Sequence, residues 1–162
     1  MVDSWEKVID PNFINAELIG GPGAEKVVTI KDIDFRECFD RKSNSKIQKM
    51  CLIFDECKPM ILNKTNSKFL AKTFGTEQGL DPKDCVGKKI TLYVVALSVG
   101  GKDTTGIRLK EFSDIKCENC GKTIMPLKNH TLDWTIDYSV KNTGKKLCID
   151  CMKKAKEEKN NG

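Results

Sequence analysis

The pattern of hydrophobic and polar positions predicts a β-rich body. Runs rich in β-branched and aromatic side chains, with partial two-residue alternation, are typical of half-buried strands. A polar loop over residues 40–46 joins the first two runs into a predicted hairpin with a charged tip. A bend is expected in the first run, because Val28 and Ile30 share one face whereas Ile33 and Phe35 share the other. The predicted strands are residues 26–39, 47–54, 58–62, 88–97 and 104–112.

A helix is predicted between the third and fourth strands, over residues 63–75. Asn63 or Thr65 can cap its start, and Gly75 can end it. An apolar side and an opposite lysine stripe give it the pattern of a surface helix. The apolar side holds Phe69, Leu70, Thr73 and Phe74, and the stripe holds Lys64, Lys68 and Lys72.

The order of these elements favours a mainly β, α+β fold. A five-stranded barrel with its helix between strands 3 and 4 is the plan of the OB-fold. The alternative is a generic α+β sandwich with the same order of elements. The sequence therefore predicts an OB-like barrel followed by a smaller module.

Changes in composition divide the chain into four parts. Glycine and proline make the first part an irregular lead-in, where Trp5, Val8, Ile9 and Phe13 could pack against the body. The third part begins with a hairpin-like segment and ends in a lysine-rich helix over 147–159. The parts are the lead-in 1–25, the OB-like domain 26–113, a four-cysteine module 114–156 and a frayed tail 157–162.

Four of the eight cysteines form two C-x-x-C pairs, Cys117 with Cys120 and Cys148 with Cys151. Two such turns supply the closed four-thiolate shell that suits one structural Zn²⁺ ion. Gly121 gives the first pair the conformational freedom of a tight knuckle. The module resembles a treble-clef zinc finger. Its predicted order is a knuckle with the first two ligands, then a hairpin, then a helix whose first turn carries the last two. Free thiols, a redox pair or an iron–sulfur cluster are the alternatives.

Nothing in the sequence favours an enzyme. The chain lacks the spacings of phosphate-binding loops and of a nucleophile elbow. Its one histidine, His130, lies between the cysteine pairs and lacks the second histidine of an HNH-type nuclease. An ordinary surface or packed histidine is the favoured interpretation. The other cysteines are expected to be small buried hydrophobes: Cys38, Cys51, Cys57 and Cys85.

The charge is +5 and unevenly distributed. Five acidic residues and one lysine give residues 1–25 a charge of −4, which leaves +9 on the remainder. A basic body favours a polyanionic partner such as nucleic acid, although solubility alone is the alternative. We expect a cytoplasmic location and no membrane partner, since no apolar run is long enough to span a bilayer and no signal peptide is recognised.

Basic and aromatic residues near the two predicted hairpins are the candidate nucleic-acid contacts. In an OB barrel these loops flank the groove that follows a single strand. Trp134 and Tyr138 could stack on bases from the zinc module, whereas Tyr93 is expected in the core. The candidates are Phe39, Arg41, Lys42, Lys46 and Lys49 around the first hairpin, and Lys102 and Arg108 around the last.

Three segments resemble a family of small bacteriophage and prophage proteins. They are residues 58–75, 86–93 and 100–108, within a resemblance that covers about 26–112. The family is similar to phage single-stranded DNA-binding proteins encoded among replication and recombination genes. This chain departs from the family pattern at Cys85, since an aromatic residue is expected directly before the Val-Gly-Lys sequence. The zinc module is a second difference, because it is an addition to the family's domain.

The resemblance implies a non-enzymatic accessory protein that binds single-stranded DNA or RNA. A phage or host replication or recombination protein is a further expected partner, and the location would be the host cytoplasm. The alternative is a phage protein-interaction factor that inhibits or redirects a host protein, with zinc used only for folding.

Overall fold

The computed structural model describes residues 12–161, so the predicted packing of Trp5, Val8 and Ile9 lies outside the described residues. Five antiparallel strands form an open sheet, and five helices accompany them in the described part of the chain. The strands are β1 Glu25–Asp40, β2 Ser45–Phe54, β3 Met60–Ile61, β4 Lys89–Val99 and β5 Lys102–Glu111. The helices are α1 Ala16–Ile19, α2 Lys64–Phe74, α3 Pro82–Cys85, α4 Leu132–Thr143 and α5 Ile149–Asn160.

The long strand β1 organises the sheet, whose order is β3-β2-β1-β4-β5. Its first residues pair with β4, and the remainder pairs with β2. A register shift between Ile30 and Asp32 confirms the predicted bend. The extra residue also changes the face on which the next side chains lie, so Ile33 packs against the same core as Ile30. The prediction that Ile33 faces the other side is therefore wrong, because strict alternation ignores a bulge.

Helix α2 lies between β3 and β4 in the chain, as predicted. The Asn63 side chain accepts a hydrogen bond from the Asn66 N–H at 2.9 Å, and Gly75 ends the helix. The fully buried Leu70 joins the main core, while the lysine stripe is exposed as predicted. The buried Asn66 side chain donates to the Ile107 carbonyl at 3.0 Å, which fastens α2 to β5.

A second apolar cluster covers the opposite face of β2. Phe13 packs there against Cys38 and Cys51, which confirms that this residue of the lead-in contacts the body. Both cysteines are buried, and Cys85 is buried in the main core. Cys57 is half-buried against that core. The prediction that these four cysteines act as small hydrophobes is confirmed for the three buried ones and partly for Cys57.

Helix α4 replaces the hairpin-like segment predicted between the cysteine pairs, so that prediction is wrong. The Thr131 side chain accepts from the Trp134 N–H at 3.1 Å, and Gly144 closes the helix with φ 74°. These end signals select a helix although the segment is rich in aromatic and β-branched residues. The bridge between Lys116 and Thr123 is the one strand-like pairing described in this module. The lysine-rich helix α5 is confirmed.

The cysteine module contacts the sheet through Glu25, a buried carboxylate on β1. One carboxylate oxygen accepts from the Leu132 N–H at 2.9 Å, at the start of α4, where a negative charge is favourable. The other oxygen forms an ion pair with Lys110 on β5. Gly20 lies so close to Asn129 that an added Cβ would be 2.3 Å from its side-chain oxygen. The module is therefore joined to the rest of the fold by a few specific contacts.

Replacing Glu25 with Ala should lower the free energy of unfolding by about 1–3 kcal/mol, because a buried N–H loses its acceptor. Glu37→Ala is the matched control, since Glu37 forms an exposed ion pair with Lys46. That change should alter stability by less than about 1 kcal/mol. Urea denaturation of both variants measures the difference, and equal effects would contradict the role assigned to Glu25.

Among the described residues, no helix has the length and apolar character that crossing a bilayer requires.

Candidate functional site

The two C-x-x-C pairs converge on one point. The four Sγ atoms of Cys117, Cys120, Cys148 and Cys151 all lie within 4.8 Å of one another. Cys120 Sγ and Cys148 Sγ are 3.6 Å apart, close to the spacing of about 3.8 Å expected in a tetrahedron with Zn–S bonds of about 2.3 Å. All four thiols are free of disulfides. The cluster can therefore hold one metal ion.

Local backbone geometry positions each pair. In the knuckle, Gly121 has φ 73° and its N–H donates to the Cys117 carbonyl at 2.9 Å. The Cys117 N–H donates to the Lys122 carbonyl at 2.8 Å, which closes the turn. Cys148 stands at the N-cap of α5 with no side-chain cap bond, and Cys151 lies in the first helical turn. Both sulfurs of the second pair therefore lie at the N-terminal end of α5.

Hydrogen bonds join the two pairs independently of a metal. The Glu118 N–H donates to the Lys146 carbonyl at 2.9 Å, and the Glu118 carboxylate accepts from the Lys146 N–H at 3.2 Å. The fully buried Ser139 hydroxyl of α4 donates to the Lys145 carbonyl and accepts from the Leu147 N–H. These bonds place the second pair beside the first.

The electrostatics of the cluster favour a cation. Burial opposes ionisation of Cys117, but backbone N–H groups of Cys148, Cys120 and Asn119 outweigh it and lower its pKa to about 6. Asn119 also donates to Cys151 Sγ at 3.4 Å, yet burial and the neighbouring thiols raise the pKa of Cys151 to about 11. Four close sulfurs cannot all ionise unless a positive ion offsets their repulsion.

The first hairpin carries five of the seven predicted contacts, but they do not all share one face. Phe39 and Lys46 are register partners, so their side chains lie on the same face. Lys49 pairs with Arg36 and lies on the opposite face. Lys46 Nζ is 2.8 Å from a Glu37 carboxylate oxygen, and that hydrogen bond raises the pKa of Lys46. Its charge is therefore partly offset.

The turn between β1 and β2 contains the other two contacts of this hairpin, Arg41 and Lys42. Asp40 accepts hydrogen bonds from the Ser43 hydroxyl at 2.7 Å and its N–H at 3.2 Å, which lower the pKa of Asp40. Asn44 adopts φ 50° and completes the turn. The tip therefore combines two cations with one carboxylate.

The last hairpin carries Lys102 and Arg108, which share one face of β5 because they are an even number of positions apart. Both lie on the face opposite the buried Leu109. Gly106 lies between them, and Leu97 covers it so closely that an added Cβ would be 2.7 Å from Leu97 Cδ1. These two predicted contacts thus share one face of a second ribbon but lie about 20 Å apart along it.

The β1–β2 hairpin carries an exposed aromatic residue that the sequence pattern did not single out, Phe35, beside the predicted contact Phe39. Phe35 is 58% exposed and Phe39 is 56% exposed. They are four residues apart on one strand, so they share a face, and Phe35 pairs with Met50, another exposed apolar side chain. The four-residue spacing of Phe35 and Phe39 indicates that they share a face of the strand. It does not indicate that this face is exposed, because exposure depends on how far the core extends along the hairpin.

His130 does not join the cysteine cluster. Its ring stacks on Trp134 with centroids 3.7 Å apart, and Trp134 stacks on Tyr138 at 5.0 Å. Lys156 Nζ donates to the Tyr138 hydroxyl at 2.7 Å and lies 5.1 Å from its ring centroid. Trp134 and Tyr138 lie on α4, whereas His130 precedes the helix. The four-residue spacing of the three rings predicts a column only once the segment is known to be helical.

No protein-family model matches this chain, and no curated protein or solved structure shows significant similarity to it.

Proposed function

We propose that this protein binds single-stranded DNA or RNA and is not an enzyme. The observation that carries the proposal is the pair Phe35 and Phe39, both more than half exposed on one face of the β1–β2 hairpin. Exposed rings beside lysine and arginine are the means by which proteins hold unpaired bases without reading their sequence. Exposed aromatic pairs are costly to solubility, which favours an interaction role for them.

The proposed scaffold is an OB-like barrel. Support comes from the sheet order, in which β1 is shared between a β2–β3 side and a β4–β5 side. Helix α2 joins β3 to β4 and is fastened to β5 through Asn66 and Ile107, so it is well placed to cover the opening between the two edge strands. In this arrangement the turns after β1 and β4 rim the groove.

The proposed cofactor is one structural Zn²⁺ ion. Thiolate-only shells at tetrahedral spacing suit this ion, and four ligands leave no position for a reacting water. Zinc would complete the small apolar core of the cysteine module. Its contribution is to folding, because within residues 12–161 the group of side chains that could hold the ion at this site consists of the four cysteines alone.

The proposed role is that of a phage-type accessory protein in replication or recombination, acting in the host cytoplasm. Residues 26–112 resemble small bacteriophage and prophage proteins, and this resemblance supports the proposed role. The charge of +9 outside the acidic lead-in also favours a nucleic-acid partner. A protein-interaction factor that redirects a host protein is the rival function. It predicts no binding of oligonucleotides, so one set of experiments separates the two.

Changing Arg41 and Lys42 together to Ala should weaken binding of an oligo-dT strand. If each side chain neutralises one phosphate, the slope of log K against log salt should fall by about 1.4. Fluorescence anisotropy over a salt series measures this slope. Thermal stability should barely change, because exposed charges contribute little to folding.

Lys64→Ala with Lys68→Ala is the matched control, since it removes the same charge from the exposed stripe of α2. This pair should reduce the slope much less if the phosphates follow the hairpin turns. Equal reductions by the two double variants would indicate diffuse attraction and would contradict a groove.

A further inference from the structure

A groove in the cysteine module combines aromatic rings with positive charge. It has a volume of about 390 Å³ and lies between α4, α5 and the segment that precedes α4. The three stacked rings form one wall, and Met152 and Ile149 of α5 contribute apolar surface. Its size is within the usual range for sites that hold small organic groups.

The stacked rings are not required by the module's own core. Tyr138 packs against that core, whereas Trp134 remains 41% exposed. The rings of His130, Trp134 and Tyr138 are nearly parallel, with interplanar angles of 10° and 11°. Contact with Lys156 restrains the Tyr138 ring at one end of the column. A rigid, partly exposed indole is thereby presented to the groove.

The charge of the groove is of one sign. Lys128, Lys153 and Lys156 line it and are exposed. Among the described residues that line it, none is acidic, and the carboxylates of Asp133 and Asp137 on α4 are not part of the lining. Aromatic surface beside several cations is complementary to a ligand with a planar ring and a nearby anion, which describes a nucleotide.

We infer that this groove is a second contact for single-stranded nucleic acid, in which one base packs against the exposed edge of Trp134 while the lysines neutralise adjacent phosphates. The inference rests on the proposed function, which it extends from the β domain to the metal module. The bonds of the buried Glu25 to Leu132 at the start of α4 and to Lys110 on β5 would limit the movement of the module relative to the sheet. One strand could then engage both.

The test uses the intrinsic fluorescence of Trp134. The chain has two tryptophans, so the full-length, metal-loaded protein with Trp5→Phe reports on Trp134 alone. Titration with oligo-dT should quench this signal in parallel with the anisotropy of a labelled strand, because a base in contact with the indole quenches its emission. Trp134→Ala should weaken binding about fivefold, the lower end of the range for contacts between a base and an aromatic side chain.

Lys153→Ala with Lys156→Ala should reduce the salt slope by about 1.4, as expected for two phosphate contacts. Retention of the metal and an unchanged circular dichroism spectrum exclude unfolding as the cause. Val140→Ala on the same helix as Trp134 is the control, because Val140 is equally exposed and does not line the groove.

The outcomes separate this inference from the proposed function. Anisotropy that reports tight binding, with no quenching and no effect of Trp134→Ala, would overturn the second contact and leave the β-domain site intact. Absence of binding to any oligonucleotide would overturn both. Quenching by an acidic peptide but not by oligo-dT would assign the groove to a protein partner and would overturn the inference.

Discussion

Cys148→Ser should abolish tight metal binding and unfold the cysteine module, residues 114–156. Structural zinc contributes about 10–16 kcal/mol to the folding of small domains, far more than the module's small apolar core can replace. The β domain should stay folded, since its main core is separate from the core of the module. Elemental analysis of the natively purified protein should give one zinc per chain, and hydrogen exchange should locate the loss of structure.

Cys57→Ser is the matched control for this substitution. Cys57 is half-buried outside the cluster, and burial raises its pKa to about 11, so it is an unreactive thiol rather than a ligand. This variant should retain zinc and an ordered module. A native protein without metal, or a Cys148→Ser variant with an intact module, would contradict the structural role assigned to the cluster.

Replacing Phe35 and Phe39 together with Ala should weaken binding to oligo-dT at least about thirtyfold. Two lost stacking contacts at about 1 kcal/mol or more each account for this factor. The loss of affinity should persist at high salt, because salt screens the attraction between basic side chains and phosphates but does not weaken stacking in the same way. Anisotropy at two salt concentrations measures it, and the free energy of unfolding should change by less than about 1 kcal/mol for such exposed residues.

Val86→Ala controls for the loss of exposed apolar surface as such. Val86 is 47% exposed and follows α3, on neither of the two hairpins. It should leave the affinity unchanged. If the double phenylalanine variant binds as well as the native chain, the hairpin face is not the binding surface.

The sequence was sufficient to predict the elements whose signals are local. Alternation and turn residues placed β1 and β2 to within about two residues, and Asn63 and Gly75 marked the ends of α2. The convergence of the four sulfurs was predictable because C-x-x-C spacing itself dictates which side chains can share an ion.

Features that depend on distant contacts were not predictable. The bulge that turns Ile33 toward the core results from pairing with both β2 and β4. The buried carboxylate of Glu25 is explained only by its two partners, Lys110 and the Leu132 N–H, which lie 85 and 107 residues away. Helix α4 was not predicted, although Thr131 and Gly144 supply its end signals.

The measurement that most directly tests the central claim is fluorescence anisotropy of the unmodified protein with labelled oligo-dT, duplex DNA and single-stranded RNA at two salt concentrations. The proposed function predicts that single strands bind more tightly than duplex, that affinity rises with strand length until both contacts are covered, and that salt weakens it steeply. No detectable binding of any single strand at low salt would contradict the claim and favour the protein-interaction function.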